Sequence, residues 1–184
     1  MSARITPRNI LDFWYSEEMQ GRWFSSTAAL DDKIRSQFEP LWRKAAAGEL
    51  DGWKETPEGC LALVIVLDQL PLNMFRGKAE SFSTEQQAVE IAKHAIDKGY
   101  DRRLPAERLA FLYIPLMHSE NLADQDLSVR LFEAAKLESN LHFALHHRGL
   151  IRKYGRFPHR NGILGRQSTP EEIEYLASKE AFLG

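Results

Sequence analysis

Apolar residues recur along this chain at intervals of three and four, and prolines, glycines and small polar residues punctuate the runs. That spacing lines one face of an α-helix. Thr6-Pro7 offers a cap and a first-turn proline ahead of Ile10, Leu11, Phe13 and Trp14. From about Thr27 to Ala47 the positions Leu30, Ile34, Phe38, Leu41, Trp42 and Ala45 share a face, and Gly48 is the stop. Pro40 predicts a kink or a break near Gln37. Thr56-Pro57-Glu58 opens a third helix whose body, Leu61 to Leu67, is apolar all round. The β-branched residues in it also suit a strand. The cap and the absence of any partner strand favour a buried central helix, ended by Pro71.

The same punctuation continues. Ser83 with Gln86 reads as a capping box for a helix reaching Lys98, with Gly99 as its stop. Pro105 opens a helix carrying Leu109, Phe111, Leu112 and Ile114 to Pro115, which places His118 in the loop beyond. Two further helices span about Leu122 to Leu137 and Glu138 to Tyr154, the second stopped by Gly155. Thr169-Pro170-Glu171-Glu172 combines a proline start with a capping box. Nothing reads as a β-hairpin. The expectation is an all-α fold of about eight helices with short connections, forming one compact domain over residues 1–184.

Composition narrows the function classes. The net charge is -2, from 24 basic and 26 acidic residues, which argues against general nucleic-acid binding. The longest apolar run, Leu61 to Leu67, is far short of the about 20 residues that cross a bilayer. Met1-Ser2-Ala3-Arg4-Ile5 lacks the apolar stretch of a signal peptide. Cys60 is the only cysteine and is expected to be a buried small hydrophobe, which fits a reducing, cytoplasmic setting. The tryptophans Trp14, Trp23, Trp42 and Trp53 crowd the N-terminal third, where they stiffen a core or form a homo-oligomer face.

Candidate chemistry concentrates between His142 and Arg166. This stretch holds Arg148, Arg152, Lys153, Arg156, Arg160 and Arg166 and four histidines, with no Asp or Glu. Such a cluster makes a local positive field. Gly155 to Gly162 reads as an ordered loop presenting Arg156, His159, Arg160 and Asn161. Guanidinium groups grip carboxylates and phosphates as planar forks. Alternatively the arginines lock the last helix in place by bonding orphan carbonyls. His142 and His146 stand at i and i+4, but the HExxH glutamate is missing and no third ligand is evident, so no metal is expected. No cofactor is expected either. His118 and Glu120 form a candidate acid–base pair, and a helix cap is the plainer reading. Asp68 and Gln69, at the rim of the apolar helix, need partners if buried.

Several of these segments resemble a bacterial family classed as a domain of unknown function, DUF924. The matching pieces are Ile10-Leu11-Asp12-Phe13-Trp14, Ala47-Gly48-Glu49-Leu50 with Trp53, Leu67-Asp68-Gln69, and Asn73 with Arg76-Gly77. Pro115-Leu116-Met117-His118-Ser119-Glu120 with Asp124-Gln125 also matches, as does the long stretch from Tyr154 to Asn161 with Leu164-Gly165-Arg166 and Ser168 to Glu172. The resemblance implies a tetratricopeptide-like, right-handed α-α superhelix and carries no established activity. One departure is Leu72, where the family usually has an arginine, so a charge role at that position is lost or unnecessary here.

Three functional readings follow. The first is a binding module whose polar pocket takes a small anion or an acidic peptide terminus, lined by Asp68, Gln69, Asn73, Arg76, His118, Arg156, His159, Arg160, Asn161 and Arg166. The second is a hydrolase or transferase acting on a phosphorylated or carboxylated metabolite, with His118, Glu120 or His159 in the chemistry. The third is a purely structural polar network in a protein-interaction module. The first two require the C-terminal polar segment to fold back against the residues around Asp68 and His118.

Overall fold

The computed structural model describes residues 5–184, and the reading of Met1 to Arg4 lies outside the described residues. The architecture is all-α, with no strand among the described residues. Its helices are α1 (Pro7–Trp14), α2 (Glu17–Gln20), α3 (Ala28–Ala46), α4 (Pro57–Val64), α5 (Leu70–Met74), α6 (Glu85–Asp97), α7 (Ala106–His118), α8 (Leu122–Ala134), α9 (Glu138–Tyr154) and α10 (Pro170–Ala177). The chain divides into two compact units. One holds the residues up to Arg76 with Glu80–Pro115, and the other Gly77–Ala79 with Leu116–Gly184.

In the first unit α4 lies between α1 and α6, and α3 packs along α5. The apolar run is buried on every side, from Cys60 through Leu67. This is why it has no amphipathic stripe. Trp14 is fully buried and Trp23 donates its ring N–H to the Trp14 carbonyl at 2.9 Å. Phe111 meets both rings edge-on. These tryptophans therefore build core.

Pro71 does not end the central helix. A π-helical turn, Ile65–Gln69, follows α4, and α5 continues with Pro71 in its first turn. The extra residue of the π turn resets the register, so Pro71 enters where a missing N–H is tolerated. In an unbroken α-helix the Leu67 carbonyl would await the N–H that Pro71 lacks. The hydroxyl of Thr84 donates to it instead, at 2.6 Å, and accepts the Trp42 ring N–H at 3.0 Å.

That use of Thr84 corrects the expected capping box. Thr84, not Ser83, is the cap residue of α6, and it makes no side-chain cap bond. Ser83 donates back to the Glu80 carbonyl. Pro40 does not break α3, which continues to Ala46. Pro40 and Ser36 both face solvent, where water can serve the carbonyl that Pro40 leaves free. Likewise α7 continues through Pro115, among buried Ile114, Leu116 and Met117, and His118 is its last residue rather than a loop residue. Tertiary packing holds these turns where the local rule would end them.

In the second unit α8 packs on α9. Between them Lys136 takes the left-handed conformation (φ 55°) that more often falls to glycine. Gly155 ends α9 in the same region at φ 71°. The chain then makes a short 3-10 turn, Pro158–Arg160, and reaches α10 through the expected capping box of Thr169 and Glu172. Leu150, Ile151 and Phe157 form a small core here, joined by Tyr154, Tyr175 and Phe182.

Candidate functional site

The second unit gathers the polar residues singled out near the C-terminus. Glu120 follows α7, and Arg166 grips it with both terminal nitrogens, at 2.7 and 3.0 Å. The backbone N–H of Phe157 donates to the same carboxylate at 2.8 Å. Burial pushes the Glu120 carboxyl upward, but the Arg166 bonds, the Phe157 N–H and the positive charge outweigh it and hold it below its ordinary value. Arg166 also donates through Nε to Asn161 Oδ1 at 2.9 Å and through Nη2 to the Phe157 carbonyl at 3.1 Å.

The network continues through Asn161, whose amide donates to Ser168 Oγ and to Glu172 Oε2. Arg156 forks Glu172 at 2.7 and 2.8 Å and donates to the Gln167 carbonyl. Glu172 is 2% exposed. Its carboxyl is pulled down to about 2, first by the Arg156 bonds, against burial, with help from the Thr169 N–H and Asn161. Acids and bases thus alternate from Glu120 through Arg166 to Glu172 and Arg156, with the neutral amide of Asn161 bridging Arg166 and Glu172.

Arg160 is buried, donates to the His118 carbonyl at 3.0 Å, and lies over the Phe157 ring. His159 packs against Phe157 and Phe182. Its Nδ1 is buried without a hydrogen-bond partner. Burial, reinforced by Arg160, lowers its pKa to about 4. His147 is lowered further, to about 3, mainly by burial. Its Nδ1 faces the Phe143 carbonyl at 2.8 Å, so that nitrogen carries the hydrogen. Both rings are neutral at pH 7. The turn from α7 into α8 is tied internally. Ser119 donates to Asp124, and the Gln125 amide donates to the carbonyls of Met117 and Ser119. Asn121 caps α8.

The remaining candidates belong to the first unit. Asp68 and Gln69 are buried in the π turn, with the Gln69 amide on Asp68 Oδ2 at 2.6 Å. Asn73 and Arg76 both bind Asp31 of α3, at 2.8 and 2.7 Å, and Ser26 joins them at 2.7 Å. These bonds outweigh burial and lower the Asp31 pKa. Asn73 and Arg76 therefore fasten α5 to α3. Sequence reasoning missed Asp31 and the role of Glu172 as the partner of Arg156. Glu172 was visible only as a capping residue. Phe182 had no signal at all.

Sequence and fold together identify the class. The chain belongs to the family described as bacterial protein of unknown function, DUF924, whose model matches residues 10–180. Among solved structures it is similar to the protein of unknown function ATU0120 from Agrobacterium tumefaciens. The two share 40% identity and a TM-score of 0.88, over 93% of this chain and 96% of that one. No curated protein matches it.

Proposed function

We propose that this chain is a helical binding module, and that its His/Arg-rich C-terminal segment is an internal clamp rather than the ligand site. The observation carrying this reading is the double fork of Arg166 on Glu120 and Arg156 on Glu172. An anion receptor needs guanidinium N–H groups directed at a guest. Here both groups are committed to internal carboxylates. Nor does Glu120 orient His159 for acid–base work: Glu120 is committed to Arg166, and His159 Nδ1 has no hydrogen-bond partner. The lone buried thiol of Cys60, pushed up to about 11 by burial, supports a cytoplasmic setting. Among the described residues no helix is long and apolar enough to cross a membrane.

Thermal melting at constant ionic strength tests the reading. Phosphate, sulfate and citrate are expected to leave Tm unchanged relative to chloride. A saturable rise with any of them, abolished in Arg160→Ala, would restore the anion pocket.

A further inference from the structure

The first unit contains a cavity of about 210 Å³ that the clamp does not touch. Gln87, Glu90, Ile91 and His94 of α6 line it at the i, i+3, i+4, i+7 spacing of one helix face. Leu63, Leu67 and Ala45, all buried, give it an apolar floor. Gly48, Asp51 and Lys54 complete the wall.

Its polar groups carry a surplus of negative charge. The Gln87 amide nitrogen gives one of its two hydrogens to the Ala46 carbonyl at 3.0 Å, and its oxygen is an acceptor. His94 Nε2 faces the Lys54 carbonyl at 3.2 Å. A carbonyl only accepts, so Nε2 carries a hydrogen there. Lys54, the cation of the lining, is paired with Asp51 at 2.8 Å. Glu90 receives a neutral amide contact from Gln86 at 3.4 Å. Asp51 and Glu90 against Lys54 leave one negative charge in excess. The larger depression along α3 differs, because its Arg35 and Arg43 are both paired with Glu39.

We propose that this cavity binds a small primary ammonium ion with a short hydrocarbon tail. An ammonium offers three donors and no acceptor, matching the surplus negative charge of Asp51 and Glu90 over Lys54 and the amide oxygen of Gln87. The tail covers Leu63, Leu67 and Ile91. The volume is below the roughly 300–1,000 Å³ of clefts that hold drug-sized ligands, so the guest is a short alkylamine.

The experiment titrates n-butylammonium chloride into the isotope-labelled full chain and follows its amide NMR spectrum, with sodium butyrate and sodium chloride at equal ionic strength alongside. Saturable shifts centred on Gly48, Gln87, Ile91 and His94 are expected with the amine alone. Glu90→Gln, on the exposed rim, is expected to weaken binding about tenfold, because it replaces a charge-assisted bond by a neutral one. Lys54→Met is expected to tighten it by freeing Asp51. The proposal is overturned if butyrate gives the same shifts, if the shifts fail to saturate or map elsewhere, or if neither variant changes the affinity.

Discussion

The hydroxyl of Thr84 occupies the carbonyl of Leu67, the acceptor that Pro71 leaves without a helical donor. One side chain thereby completes the central helix and, through the Trp42 ring N–H, ties it to α3. Thr84→Val keeps the shape but strands two buried polar groups. It is expected to cost about 2–3 kcal/mol in urea unfolding, and Thr84→Ser less than about 1 kcal/mol. A negligible cost for Thr84→Val would show that the hydrogen bonds do not matter here.

Arg166→Met leaves Glu120 largely enclosed with its charge unmatched. A loss of about 2–3 kcal/mol is expected. The double variant Glu120→Gln/Arg166→Met should recover part of it, because the stranded charge is gone. Arg152→Met is the contrast. Arg152 is 55% exposed and meets Asp126 at 3.3 Å, so its loss should cost about 0.5 kcal/mol or less.

Acidification should weaken the fold before any carboxylate is involved. Unfolded histidines take up protons near pH 6.5, whereas His147 and His159 in the fold wait until about 3 and about 4. The unfolded state therefore binds more protons as pH falls from 6.5 toward 4. Each ring lowers stability by up to about 1.4 kcal/mol per pH unit in that window. Denaturant unfolding at pH 7, 6 and 5 measures the slope, and His147→Gln should make it shallower. A pH-independent stability over this range would contradict the neutral, buried rings.

Gly59 sits in the first turn of α4, and a methyl group there would lie 1.9 Å from the Trp53 carbonyl oxygen. Gly59→Ala should improve helix propensity and still destabilise by about 2–3 kcal/mol, because the obstacle is backbone. A stabilised variant in thermal melting would mean the Trp53 turn can move aside.

Much of this fold was legible because its helix starts are written in side chains that act locally. Thr6, Thr27, Thr56 and Thr169 each cap the helix that the sequence assigns to them. The errors fall where a distant partner overrides the local rule. Ser83 and Thr84 are nearly equivalent as caps, and only Leu67 and Trp42 decide what Thr84 does. Pro71 and Pro115 announce ends that packing prevents. The clamp was half legible. A run of arginines was plain, but the carboxylates answering them, Glu120 and Glu172, lie 46 and 16 residues away.

The π turn also bears on how this helix tolerates insertion and deletion. It amounts to a single additional residue accommodated without unwinding. Removing one position between Ile65 and Gln69 would return the wide turn to an ordinary α turn with little change of phase beyond it. A further inserted residue that the turn did not absorb would instead rotate Asn73 and Arg76 off Asp31 by about 100°, so descendants of this sequence can lose a residue here more easily than gain one.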